Sequence, residues 1–318
     1  MKNITLTIIA AILPFIKLFA QQDPQYTRYM FSNAIINPAH IAKQQAKKLS
    51  VSTIYRNQWL GMDGAPKSYL LNVYGSINKK VNLGGIIEND VIGIHNRLSC
   101  QLMYGYQVPF KNKMSLSFGL SGGIILQTTD WSKINDVADI DDPILTNGNI
   151  STINPDFKLG TLFDFSDGYY IGISASHLSA IFDKNFPFDA NYYFIAGGNL
   201  YGYQIGLSDQ IELRYSTLLK VVPIKSPLEV DINVNFVFND RFCIGTGFHT
   251  GAGIPLVFQY WTPKRFKFGY SFDYNLNRLA GTNLGSHEVM LSYEIIKKKE
   301  RAKPPKRPRK NSKKKHKR

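Results

Sequence analysis

Cysteine is nearly absent from this 318-residue chain: Cys100 and Cys243 are too few for the disulfide framework that staples small exported domains. Beyond the first twenty residues, long apolar runs are missing too, so no segment supplies the ~20 apolar residues that a membrane-spanning helix needs. The positive charge is unevenly placed. Residues 297–318 hold 14 Lys or Arg against one acid, Glu300, whereas residues 21–296 carry no net charge. A neutral body with one basic tail excludes a DNA-binding domain, whose cations lie on a folded face.

What is present begins with "MKNITLTIIAAILPFIKLFA", in which Lys2 precedes an apolar run and Ala20 precedes the polar "QQDPQ". That is the layout of a secretory signal peptide. Residues 1–20 are expected to be removed, leaving a mature chain that starts near Gln21. Export also takes the tail away from nucleic acid.

Tyr, Phe and Gly are abundant, and the aromatics recur with a period of two. In "RFKFGYSFDYNL", Phe266, Phe268, Tyr270, Phe272, Tyr274 and Leu276 alternate with Lys267, Gly269, Ser271, Asp273 and Asn275. "EVDINVNFVFND", "IELRYSTLLKV" and "HEVMLSYEI" sort in the same way, which is a strand pattern. A water-soluble sandwich would turn such aromatics inward; an outer-membrane barrel turns them to lipid. Period alone leaves both open.

Length and parity favour the barrel. Strands are expected near 49–58, 66–77, 81–94, 97–108, 113–127, 155–164, 169–180, 191–203, 209–221, 226–238, 241–251, 254–262, 266–277 and 286–296. Most reach the roughly 9–11 residues that a tilted strand needs to cross a bilayer. The connections at 78–80, 109–113, 165–168, 204–208, 239–240 and 263–265 are short, and the long ones (59–66, 128–152, 181–190 and 278–286) all fall on the other side. Outer-membrane barrels place short turns in the periplasm and long loops outside. The expected fold is all-β: a transmembrane antiparallel β-barrel of about fourteen strands over residues 21–296, followed by a disordered polybasic periplasmic tail, 297–318.

Three segments go beyond barrel grammar: "QQDPQYTRYMFSNAIINPA" at the mature start, "YRNQWLGMDGAP" at 55–66 and "GYSFDYNLNRLAGTNLGSHEVMLSYE" at 269–294. With "PDFKLGTLF" and "YYIGISASHL" between them, the chain resembles the PorP/SprF family from Gln21 to Ile296. The resemblance implies an integral outer-membrane barrel of the type IX secretion system of gliding or protein-secreting bacteria. It further implies partners: an exported adhesin or its C-terminal signal, and periplasmic or outer-membrane subunits of the machinery. A passive channel for small solutes would share the barrel.

Arg56, Glu212, Arg214, Lys220, Asp231, Asp273, Glu288 and Glu294 fall on the lumen register, where they would either tune a pore or brace a filled interior. Trp59 is expected at the outer end of the first strand, at headgroup level. Gly61, Gly64 and Pro66 shape the loop that follows. His40, His95, His177, His249 and His287 lie apart in sequence, outside any nucleophile or metal motif. "DVADIDD" (136–142) gathers carboxylates without EF-hand spacing and reads as a solvated loop. No enzyme, metal or cofactor is expected. Cys100 should face lipid and Cys243 the interior, both as free thiols. In the tail, with Pro304, Pro305 and Pro308, residues Arg301, Lys306, Arg309, Lys313, Lys314 and Lys315 are the candidate partner-binding cations. They suit an acidic periplasmic subunit, anionic membrane lipid or peptidoglycan carboxylates.

Overall fold

The computed structural model describes residues 23–43, 48–133, 149–165, 168–184, 186–208, 210–223, 227–276 and 280–296. Fourteen antiparallel strands close into one barrel in sequence order, β1 pairing with β14. They are β1 Lys48–Asn57, β2 Lys67–Ser76, β3 Val81–Ile92, β4 His95–Pro109, β5 Ser115–Asp130, β6 Asn149–Asp164 and β7 Tyr170–Ser176. The second half is β8 Asn191–Tyr201, β9 Ile211–Val221, β10 Glu229–Phe238, β11 Phe242–His249, β12 Ile254–Trp261, β13 Phe266–Tyr274 and β14 Ser286–Ile296. Each overlaps an expected strand, although β7, expected to reach residue 180, ends at Ser176, and Ser179–Phe182 form a helical turn instead. The start of β1, the end of β14 and the short turns share one rim, here called the near rim; the long loops share the far rim.

The faces sort as a lipid-facing wall requires. Phe266, Phe268, Tyr270 and Tyr274 are exposed on the outside, while Ser271 and Asp273 between them are buried inside. A soluble sandwich would reverse this. Cys100 lies on the outward register of β4 and Cys243 is buried on the inner face of β11, both as free thiols.

The largest difference from the sequence expectation lies beyond the rim. Residues 128–130 and 149–152, expected as loop, extend β5 and β6 into a long hairpin paired from Ser115↔Asp164 to Asp130↔Asn149. "NIST" is polar yet extended, and Thr128 and Ser151 hydrogen-bond across it at 3.0 Å.

The lumen is filled, by the chain's own beginning. Residues 23–43 run from the far rim to the near rim inside the barrel as short 3-10 turns at Thr27–Phe31, Asn33–Ile35 and Pro38–Lys43. Asn37 sets the last turn, because its Oδ1 accepts the Ala39 N–H at 2.9 Å, an Asx turn that the following proline reinforces. This strap is held at both ends. Asp23 accepts from Asn191 Nδ2 at 2.8 Å near the far rim, and Lys43 Nζ pairs with Asp164 Oδ1 at 2.5 Å near the other.

Filling changes the inner wall. Part of it is apolar: Ile54, Leu70, Ile86, Met103 and Met290 turn inward and pack with Tyr26, Ala34 and Ile41 of the strap. Inward glycines make room elsewhere, with Gly119 directly opposite both Gly105 and Gly160 beneath the Pro38–Lys43 turn.

Candidate functional site

The three family-like segments, far apart in sequence, meet at one buried point. Arg56 on β1 stands opposite Glu288 on β14 in the strand register, and its guanidinium pairs with Glu288 at 3.2 Å and with Asp273 of β13 at 2.7 Å. Thr27 of the strap completes the group. Its Oγ1 accepts from Arg56 Nη1 at 2.8 Å and donates to Asp273 at 2.7 Å. Glu288 accepts the backbone N–H of Thr27 and of Arg28, each at 2.9 Å. Arg28 then reaches across β12 and β13, donating to the carbonyls of Phe258 and Tyr270 at 3.1 Å and to Gln259 Oε1. All five side chains are buried, so the cluster is an internal anchor that fixes the strap against the seam where β1 meets β14.

A second cluster latches the strap at the far rim. His177, just past the end of β7, lies between two carboxylates: Nε2 is 2.8 Å from Asp23 and Nδ1 is 3.0 Å from Asp156. Arg97 pairs with Asp23 at 2.9 Å, and Tyr193 donates to it at 3.3 Å. Burial alone would lower the His177 pKa, but the Asp23 charge and the hydrogen bonds to Asp156 and Asp23 outweigh it and raise the imidazolium to about 9. Burial would raise the Asp23 carboxyl; His177, Arg97 and Lys158 instead hold it well below the usual range.

The signs give a pH window. His177 is raised above its unfolded value near 6.5, so its contribution is complete below that pH and is lost as pH rises through about 9. Asp23 is depressed, so its contribution is present above the ordinary carboxylate range and is lost in acid. The thermal midpoint of the detergent-solubilised barrel is therefore expected to fall as pH rises from about 6.5 to about 9 and to level off above that, and H177Q should remove that fall.

Above the latch lies a cavity of about 480 Å³ open to the far rim, with Asp23, Trp59, His95, Arg97, Gln127 and Phe188 among its lining residues. Trp59 thus contributes to the mouth of the lumen instead of standing only at headgroup level. The left-handed backbone at Trp59 (φ 51°) makes the chain turn there. The loop it opens is clamped onto the β13–β14 connection, because Leu60 N–H donates to the Gly285 carbonyl and Leu284 N–H to the Leu60 carbonyl, both at 2.8 Å. Gly61 (φ 92°) and Gly64 (φ 71°) supply the conformations that this clamp needs.

Every lumen residue expected from the sequence falls on the inward register. Arg56, Asp273 and Glu288 form the anchor; Arg214 pairs with Glu212 at 2.7 Å, and Lys220 with Glu229 at 3.5 Å. Glu294 pairs with Lys267 at 2.6 Å near the rim. Asp231 lines a small internal cavity of about 40 Å³ with Tyr29 and His249. The tail residues Arg301, Lys306, Arg309, Lys313, Lys314 and Lys315, and the "DVADIDD" segment, lie outside the described residues. Asp23, Thr27 and Arg28 were not singled out by the sequence, and His177 was read there only as a histidine outside any motif. No group of three or more His, Cys, Asp or Glu suited to a metal ion occurs among the described residues.

One solved structure supports the architecture. The "TodX deltaS2S3 mutant monoaromatic hydrocarbon channel" superposes with a TM-score of 0.50 at 10% identity, over 82% of this chain and 92% of that one. The Acinetobacter baumannii outer membrane protein Omp33 gives 0.47 at 7% identity, over 80% and 100%. At these identities the likeness concerns the fold alone. No curated protein matches the chain. The family model described as type IX secretion system membrane protein PorP/SprF matches residues 18–293. An outer-membrane barrel whose three motif segments meet at one internal anchor is, by that match, a member of the PorP/SprF family of type IX secretion system membrane proteins.

Proposed function

We propose that the protein is a non-catalytic outer-membrane scaffold of type IX secretion that helps an exported adhesin reach and stay on the cell surface. The far rim faces outward, and its mouth cavity receives the adhesin or its C-terminal signal. The near rim faces the periplasm, where its turns and the tail contact subunits of the machinery.

The filled lumen is the observation that carries this reading. A strap anchored by Arg56, Asp273 and Glu288 and latched by His177 obstructs a solute path, yet it leaves an amphipathic cavity at the mouth. A passive channel needs the opposite. The cavity's mixture of Trp59 and Phe188 with Gln58, Gln127 and Arg97 suits an extended peptide, whose backbone wants amide partners and whose side chains want apolar surface.

The test follows the adhesin in cells carrying W59A/F188A or a chain truncated after Ile296. The cavity variant is expected to keep its barrel but release adhesin into the medium. The truncated chain is expected to keep its barrel and lose a periplasmic subunit on salt washing. Surface adhesin that is unchanged when the whole barrel is deleted would overturn the proposal.

A further inference from the structure

The near rim is electrostatically one-sided. Its turns at 77–80, 110–114 and 262–265 present Lys79, Lys80, Lys111, Lys113, Lys264 and Arg265, all exposed and without a carboxylate among them. The other three turns, 165–169, 202–210 and 239–241, contain by sequence Asp167, Asp209 and Asp240 against Arg241. The six cations do not alternate with these; they occupy one continuous arc.

Direct contacts trace that arc. The Arg265 carbonyl accepts the Glu294 N–H of β14 at 3.4 Å. Ile296 at the end of β14 is opposite Lys48 of β1, and Leu49 is opposite Gly75 of β2. The β2–β3 turn then touches β4, because the Lys80 carbonyl accepts the Gln107 N–H at 2.8 Å, and β4 leads to the Lys111–Lys113 turn. Among the described residues, the ion pairs of this rim, Lys43–Asp164, Lys48–Glu294, Lys267–Glu294 and Arg214–Glu212, use none of the six.

Each basic turn also carries an apolar residue on the lipid-facing wall. Ile77 precedes Lys79 and Lys80, Phe110 precedes Lys111 and Lys113, and Phe266 follows Lys264 and Arg265; all three are exposed. Phe266 stacks on Tyr293 with ring centroids 4.4 Å apart. Cations one to three residues from a hydrocarbon anchor are held at the depth of the lipid headgroups. An acidic protein docking from below would need no such anchors.

We propose that this arc binds anionic phospholipid headgroups of the leaflet around the near rim, gathering them on the side where β14 ends. Its assignment to the periplasmic leaflet rests on the orientation given under Proposed function; the binding itself does not. Each Lys or Arg near a phosphate surface supplies a separate attraction, so the six together are expected to prefer phosphatidylglycerol over phosphatidylethanolamine by roughly tenfold or more.

The mature chain in detergent is titrated with phosphatidylglycerol, phosphatidylethanolamine or lipid A, and bound lipid is counted by native mass spectrometry. The chain truncated after Ile296 isolates the arc from the tail. Wild type and truncated chains should both retain phosphatidylglycerol selectively, and K79Q/K80Q/K111Q/K113Q/K264Q/R265Q should lose about tenfold of that preference. R241Q, from the opposite arc, should lose none, and thermal unfolding reports whether each variant remains a folded barrel. Equal retention of the two phospholipids, an unchanged six-residue variant, or equal retention of lipid A would overturn the proposal. So would polyglutamate displacing all bound lipid, which would mark the arc as a site for an acidic protein. None of these results bears on adhesin retention, so the scaffold reading is tested separately.

Discussion

Replacing Arg56 with alanine is expected to destabilise the barrel by about 3–5 kcal/mol, the usual cost of leaving a buried charge without its partner. Asp273 and Glu288 would face each other with no cation between them, and Thr27 Oγ1 would lose its donor. Folded barrels resist unfolding in mild detergent on a gel, so the temperature at which the compact band disappears measures the loss. Arg56→Lys should recover only part, since one ammonium cannot reproduce the two-pronged contact to separate carboxylates.

A triple change separates charge balance from anchoring. R56M/D273L/E288M removes the buried ion pairs of Arg56 while Arg28 keeps its carbonyl partners, and should restore part of the wall's stability, as apolar replacements of buried ion networks often do. It should not restore the strap, because the N–H groups of Thr27 and Arg28 then lose the Glu288 carboxylate that accepts them. Protease access to the strap distinguishes the outcomes. A triple variant with its strap as protected as in wild type would mean that the anchor serves the wall alone.

The wall was legible in the sequence and the strap was not, for physical reasons. A strand between lipid and lumen has two unlike faces, so Phe266 to Tyr274 betray their orientation by alternation alone. The strap touches wall on all sides. Tyr29, Ala39 and Ile41 are as buried as Thr27, Arg28 and Asn37, so no face is distinguished and no period emerges. Its 3-10 turns also place successive residues in unlike directions. The signal that could have exposed it lies in the wall: Gly105, Gly119 and Gly160 fall on inward registers of β4, β5 and β6, where an open pore would have no use for the missing side chains. Arg56, Asp273 and Glu288 were correctly placed inward, but their meeting point depends on closure of β14 onto β1, which local pattern does not reveal.

Gly119→Val is expected to turn a closed barrel into a conducting one. A Cβ at this position would lie 2.1 Å from the Ala39 nitrogen and 2.2 Å from the Pro38 carbonyl carbon. Both are backbone atoms, so no rotamer change relieves the overlap. The strap cannot slide easily either, because Asn37 fixes this turn to the carbonyls of Thr161 and Ile173 at 2.9 and 3.2 Å. The valine therefore forces the Pro38–Lys43 turn off the wall and opens a route beside it. In planar bilayers wild type should pass little steady current, a chain lacking residues 23–43 should pass the most, and G119V should lie between them. Leu120→Val, changed on the lipid face of the same strand, should match wild type. If wild type conducted as freely as the deletion, the strap would have to leave the lumen in a membrane, and the passive-channel reading would replace the scaffold.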